Sequence, residues 1–206
     1  MQAEVPTVGP AVVEPTVVPT LEPVPTVSVT YDGVYAIELD GSGDYATIEE
    51  ALEQVTNGAE LRLGAGTFKV TAPLVIDKDI VLTGAGQNST TITMGGTNDL
   101  IISVTEAEVI ITDLTPDGGF GVNVNKSEID IQRVTFQRSS LNGLTNSNSV
   151  GTVTDSTSQD NAGAGFNWGE QASGMSLVWW EGSAPGLVDV AVSIPPLHLN
   201  RSICRG

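Results

Sequence analysis

Through the middle of the chain, apolar positions return at a near-constant distance. The pairs Gly121-Val122, Gly143-Leu144 and Gly165-Phe166 stand 22 residues apart. Ahead of each lies a short strand-like stretch: Val109-Ile110-Ile111, Ile129-Asp130-Ile131 and Gly151-Thr152-Val153. The last members of these stretches step by 20 and then 22 residues. A period of this length with strand pattern inside it predicts a β-solenoid. No single turn can bury its own apolar side, so each turn must stack on the next.

Upstream, further short strands are predicted at Glu60 to Leu63, Leu74 to Ile76, Ile80 to Leu82, Thr91 to Thr93 and Leu100 to Val104. Gly64, Gly66, Gly84, Gly86, Gly95 and Gly96 punctuate them. Short β-branched strands without hairpin spacing suit parallel rungs. A first strand is expected from Val34 to Ile37. Thr47-Ile48-Glu49-Glu50 then reads as a capping box. Ile48, Ala51, Leu52 and Val55 follow as one apolar stripe at helical spacing, and Asn57-Gly58 supplies a stop. The spacing predicts a short helix over Thr47 to Thr56. A helix of that length must dock on something, and the exposed N-terminal end of a solenoid needs a lid. The fold class expected is all-β, a parallel β-helix with a short N-terminal capping α-helix.

The flanks differ in pattern. In residues 1–30, Pro6, Pro10, Pro15, Pro19, Pro23 and Pro25 recur among Val, Thr and Glu. Each fixes its own φ and pushes its predecessor to extended form, which predicts a stiff, solvated, disordered spacer. A spacer of this kind separates a module from an anchor or another domain, so the chain is expected to be a fragment of something larger. The β-helix domain is expected over 31–174. From Met175 the rung spacing stops, and 175–206 is an irregular tail. Two readings of it stand: a C-terminal cap, in which Val178-Trp179-Trp180 and Leu187 to Val192 pair at the open end, or non-native sequence. Cys204 is then an incidental thiol.

Composition narrows the functions. The net charge is −17, from 8 basic and 25 acidic residues. Such a surface repels nucleic acid and anionic membranes, but it tolerates Ca²⁺ and neutral glycans. A single Cys excludes an internal disulfide, and a single His, His198, excludes a His-cluster metal site. No apolar run is long enough to cross a bilayer, and no signal peptide is visible at Met1. The expected setting is nevertheless extracellular or at the cell surface, with the chain a monomer.

Four segments carry a family resemblance: Asp40 through Leu52, Gly64-Ala65-Gly66-Thr67-Phe68, Ile80 through Gly86, and Thr90-Thr91-Ile92. Together they resemble the opening of pectin methylesterases and the wider pectate-lyase-like right-handed parallel β-helix superfamily. The match runs from Leu39 to Thr93. It implies a right-handed coil and, were the chain an enzyme, a carbohydrate esterase or polysaccharide lyase acting on pectin-like glycans. The methylesterase segments Gln-Asp-Thr-Leu and Asp-Phe-Ile-Phe-Gly do not occur in this chain. The early Gly-Thr-Tyr-x-Glu segment reads Gly66-Thr67-Phe68-Lys69-Val70, without its Glu. No catalytic residue is therefore carried over. The functional expectation is a non-catalytic module for carbohydrate binding or surface display. The alternative is a polysaccharide-active enzyme fragment lacking its catalytic rungs.

Alignment of the rungs nominates residues for chemistry. Setting Ile111, Ile131 and Val153 in register stacks Asp113, Arg133 and Asp155 at rung spacing of about 4.8 Å. Arg133 is expected to bridge both carboxylates, either as a register-fixing surface ladder or as an Arg-backed acid pair. Asp155, Asp160 and Glu170 form an acidic group with the hard oxygens that Ca²⁺ prefers. Asn residues, among them Asn88, Asn98, Asn123, Asn142, Asn146, Asn148 and Asn161, are expected at rung corners with left-handed φ and rung-to-rung hydrogen bonds. Sugar contact is the alternative for Asn123 and Asn146. Phe120, Phe136 and Phe166 are expected to pack in or beside the rungs, and Trp168 either packs there too or offers an aromatic platform for a sugar.

Overall fold

The structure is a computed structural model and describes residue 27, residues 32–95 and 99–168, and the strands at 176–177 and 190–192. The chain enters through β1 (Gly33–Ile37) and α1 (Ile48–Gln54). It then winds in turns of three strands. The first turn is β2 (Ala59–Leu63), β3 (Gly66–Val70) and β4 (Leu74–Ile76); the second is β5 (Ile80–Thr83), β6 (Thr90–Met94) and β7 (Ile102–Thr105). The third is β8 (Glu108–Thr112), β9 (Thr115–Asp117) and β10 (Val122–Asn125), and the fourth is β11 (Glu128–Gln132), β12 (Thr135–Gln137) and β13 (Leu144–Ser147). The fifth is β14 (Val150–Thr154), β15 (Thr157–Gln159) and β16 (Phe166–Trp168). β17 (Ser176–Leu177) and β18 (Val190–Val192) begin another.

Corresponding strands pair in parallel and build three sheets. The first sheet runs β1-β2-β5-β8-β11-β14-β17, the second β3-β6-β9-β12-β15, and the third β4-β7-β10-β13-β16-β18. This is a right-handed parallel β-helix, the hand that crossovers between parallel strands adopt. The sequence repeat is the structural one. Ile111, Ile131 and Val153 are register partners in the first sheet, and Val122, Leu144 and Phe166 are partners in the third. All six are buried along the axis. The corner between the first and second sheets is two residues long in every turn but the second, where residues 84–89 form a loop. The connection from second to third grows from residues 118–121 to 138–143, which accounts for the change of step from 20 to 22.

Corners between sheets hold left-handed backbone, but mostly not with asparagine. Asp113, Arg133 and Asp155 have φ of 60°, 51° and 47°, and Glu106, Lys126 and Asn148 have 54°, 50° and 53°. Among the described asparagines only Asn148 occupies such a corner; Asn98 lies outside the described residues. The left-handed conformation costs about 1–2 kcal/mol per residue, and here charged side chains bear it where they can pair across rungs, as Lys126 does with Glu106 at 3.1 Å. Rung-to-rung bonding by asparagine does occur elsewhere. Asn142 Oδ1 accepts from the Ala164 amide and Asn161 Oδ1 from the Ser139 amide, both at 2.9 Å.

Thr47 caps α1, its hydroxyl accepting from the Glu50 amide at 3.1 Å, while Glu50 accepts from the Ala46 amide. The helix ends at Gln54, earlier than Asn57-Gly58 predicts, because Val55 is already extended with ψ 156°. Lys78 reaches back to donate to the carbonyls of Leu52 and Val55, the end of a helix where a cation is favoured. Ile48, Ala51, Leu52 and Val55 join the core, with α1 set against the end strand β4.

Of the two flanks, the structure describes Val27 and the strands β17 and β18. Val27 is buried against Val81, with Ile110 beside them. Val81 and Ile110 lie on the outer side of the first sheet, in the ladder Val34, Glu60, Val81, Ile110, Asp130 and Thr152. The remainder of the Pro-rich stretch lies outside the described residues. At the other end, β17 pairs with β14 and β18 with β16, so the ladder continues past residue 174. Trp179, Trp180, His198 and Cys204 lie outside the described residues.

Candidate functional site

Outer columns of the second sheet carry hydroxyl and amide side chains. Thr67, Thr91 and Thr115 are register partners across β3, β6 and β9, and Thr135 and Thr157 pair across β12 and β15. Because Gln137 pairs with Asp117, Thr135 follows Thr115 in the same column. The column beside it reads Lys69, Thr93, Asp117, Gln137 and Gln159. Strand alternation explains both columns: Phe68, Ile92 and Phe136 between them point inward and are buried.

A wall rises on one side. The loop from Gly84 to Ser89 folds over the corner between the first and second sheets. Gly84 N donates to Thr112 O and Gly86 N to Asp113 O, both at 2.9 Å. A Cβ on Gly84 would sit 2.3 Å from Asp113 O, so only glycine permits this approach. Thr115 Oγ1 donates to Gln87 O at 2.5 Å, and Gln87 Nε2 donates to Asp155 O at 3.0 Å. Wall and floor enclose a groove of about 380 Å³ across the rungs. Gln87 and Asn88 line it from the loop, Thr91, Thr115, Thr135 and Thr157 from one column, and Gln137 and Gln159 from the other. Among the described residues, no charged side chain is in that lining. Gln159 Nε2 donates to Gln137 Oε1 at 2.9 Å, a rung-to-rung amide bond.

The Asp113, Arg133, Asp155 column borders this groove. Arg133 does not bridge both carboxylates. Its Nε and Nη2 donate to the two oxygens of Asp113 at 2.7 Å, Nη2 also reaches Thr112 Oγ1 at 2.8 Å, and Nη1 reaches Gln132 Oε1 at 3.3 Å. Asp155 adds only through-space attraction, which with the Asp113 bonds raises the guanidinium further. The planar fork fits one carboxylate at a time. The hydrogen bonds from Arg133 hold the Asp113 carboxyl below its ordinary range. A carboxyl so held is a poor proton donor at neutral pH, and Arg133 occupies the space between the two acids. What the column supplies is backbone: the carbonyls of Asp113 and Asp155 hold the loop.

Arg133→Ala is expected to lower stability by up to about 1 kcal/mol at neutral pH, since both partners of the pair are partly exposed. Asp113 has a depressed folded pKa, so its contribution is complete above the ordinary value of 3.8 and is lost as pH falls through the lower folded value. Urea melts of both proteins across that range should converge on acidification. A gap that persists in acid would show that the side chain acts by packing rather than charge.

The other nominated residues are dispersed. Asp155 and Asp160 stand at opposite ends of β15, about 16 Å apart along an extended strand. Glu170 lies outside the described residues, and among the described residues no three acidic, His or Cys side chains gather as a metal site. Asn123 is half-buried on the outer side of the third sheet, between Ser103 and Thr145. Asn146 is one position out of phase with it and therefore faces the axis, fully buried. Its register partners include Val124, which stacks in turn on Val104. Trp168 pairs with Asn146 through the backbone, and its side chain is not described.

Both the amide nitrogen and oxygen of Asn146 lack a partner. An unpaired buried polar group costs about 1–3 kcal/mol, so Asn146→Val is expected to stabilise the chain by that order. Urea denaturation measures it; a loss of stability would mean that the amide is bonded in solution. Serine performs the satisfied version of the same task. Ser127, Ser149 and Ser156 are buried at corners, accept from the Ala107, Ser127 and Val134 amides, and donate to Asn125, Ser147 and Thr154 carbonyls. Sequence reasoning passed over these serines and over the Thr column. The signal for the column was the recurrence of Thr at 91, 115, 135 and 157 with the rung period.

No family model and no curated protein sequence matches the chain. Solved structures do. The ORF18 protein of Geobacillus virus E2 superposes with a TM-score of 0.62 at 17% identity, covering 74% of this chain and 38% of that one. The pectate lyase Pel9A superposes with a TM-score of 0.52 at 13% identity, covering 71% of this chain and 47% of that one. The chain thus spans less than half the length of either. Likeness at such identity is likeness of fold, and the fold of this chain is that of the pectate-lyase-like parallel β-helices.

Proposed function

We propose that the chain is a non-catalytic β-helix module, extracellular or at the cell surface, that binds carbohydrate or displays what it carries. The observation behind this reading is the uncharged groove of hydroxyls and amides on the second sheet. Such side chains both donate and accept, as sugar hydroxyls do. Neighbouring rungs repeat them at about 4.8 Å, so an extended glycan meets the same groups again and again. The pectate lyase Pel9A is a carbohydrate-active protein on the same fold, which supports the ligand class.

The chain's length against these neighbours favours one second reading, a polysaccharide-active esterase or lyase fragment without its catalytic rungs. Pull-down on insoluble glycans, run beside demethylation and lyase assays on pectin, separates the two. Binding without turnover is the expected result. Turnover would establish the enzyme reading, and neither binding nor turnover would leave a structural module without a glycan ligand.

A further inference from the structure

The geometry points to a substrate class for the groove: an uncharged polysaccharide chain lying along the helix axis, across the rungs, against the wall formed by the Gln87 loop. This rests on the carbohydrate-binding reading above and narrows it. The axis direction follows from the Thr column, which places one threonine on each rung from Thr91 through Thr157; Thr91, Thr135 and Thr157 stay partly exposed, while Thr115 is turned to the Gln87 carbonyl. A rung rises by about 4.8 Å, close to the length that one pyranose residue adds to an extended glycan. Gln137 and Gln159 run parallel to that column and add amides at the same interval.

Charge decides against acidic glycans. A polyuronate needs cations, and among the described residues the groove lining has none. Two basic groups at its borders are engaged, Arg133 with Asp113 and Arg138 with Asp117, and Lys69 stands two rungs before Asp117 in the neighbouring column, outside the lining. The chain as a whole carries −17, so an anionic polymer would be repelled on approach and find no compensation on arrival. A neutral chain meets no such penalty. Among the described residues the lining also holds no aromatic ring, so recognition works through repeated hydrogen bonds. Each bond adds little, and retention grows with the number of rungs engaged along one polymer.

Affinity gel electrophoresis of the full chain tests this. The probes are three neutral polymers (glucomannan, arabinoxylan and hydroxyethylcellulose) and two acidic ones (polygalacturonate and alginate). At least one neutral polymer should retard the protein, and neither acidic polymer should. The double variant Thr135→Val, Thr157→Val should reduce the retardation at least fivefold, as should Gln137→Ala with Gln159→Ala. Ser103→Ala on the third sheet should leave it within twofold. Circular dichroism of each variant confirms the fold, and the two independent groove variants guard against one failing to fold. Retardation by acidic polymers alone would overturn this inference and leave the broader carbohydrate reading standing. Retardation by neutral polymers that survives both groove variants would move the site elsewhere. No retardation by any of the five would overturn both.

Discussion

Phe136→Ser is expected to unfold the chain or bring it close to unfolding. The ring is 1% exposed and meets Phe166 edge-on, with centroids 5.7 Å apart and planes at 80°. Removing a buried Phe side chain costs about 3–5 kcal/mol through lost transfer energy and the cavity left behind. An aromatic pair contributes about 0.5–1.5 kcal/mol beyond its area. The new hydroxyl is then buried as well, at roughly 1–3 kcal/mol when it finds no partner. Domains of this size are stable by about 5–15 kcal/mol in all, so the loss takes most of what there is. Position matters as well as size. Phe136 belongs to the second sheet and Phe166 to the third of the following turn, so the pair ties one turn to the next, and a solenoid depends on contacts between neighbouring turns. Thermal melting followed by circular dichroism should show a transition many degrees lower or none. Phe136→Leu should lose much less. An unchanged melt for the serine variant would contradict the placement of Phe136 inside the coil.

Gly151→Ala should cost almost as much, although it adds a single methyl group. The first sheet directs one inward column through Ala59, Ile80, Val109 and Ile129, and Gly151 takes the next place. A Cβ there would lie 1.8 Å from the carbonyl oxygen of Ile129 and 2.7 Å from its carbon. Both are backbone atoms of the neighbouring rung, so neither can rotate away. The φ of 142° adds to the strain, since side-chain-bearing residues rarely adopt it. Overpacking costs about 1–3 kcal/mol and such a backbone conformation about 1–3 kcal/mol more. Relief requires β11 and β14 to move apart, which weakens the ladder that both share. Chemical denaturation of the variant should give a midpoint well below that of the parent. A midpoint equal to the parent's would mean that the backbone at Gly151 relaxes freely and that the rung contact is loose.

The two results would speak to different parts of the molecule. Phe136 reports on the apolar interior, which the period of the chain already marked. Gly151 reports on the closeness of two backbones, which no pattern of apolar residues reveals. As a sequence, Gly151-Thr152-Val153 is only a short strand, and its first residue carries no sign that a carbonyl from another turn lies against it.

The same division runs through the candidate site. Asp113, Arg133 and Asp155 occupy equivalent left-handed corners. Which carboxylate Arg133 holds was not legible, because its reach depends on side-chain rotamers and on Thr112 and Gln132 beside it. Asn123 and Asn146 looked alike as polar residues near strands. Strand alternation within the rungs sends one to solvent and the other to the axis. The Thr column was in plain view as a recurrence, yet it becomes a groove only because the Gly84 to Ser89 loop stands beside it, fixed through a hydrogen bond from Gln87 to Asp155, 68 residues away in the chain.

On its own, the sequence determined the coil. A repeat near twenty residues, aliphatic at fixed places and broken by glycine, leaves each turn an apolar side that only another turn can cover. It determined the helix over the first turns too, through Thr47 and the stripe behind it. The tertiary structure alone decided where the polar surface becomes concave, which charges neutralise each other, and where rungs touch backbone to backbone. Those properties belong to pairs of residues far apart in the chain, and their distances are set by stacking, loop path and rotamer rather than by any local preference.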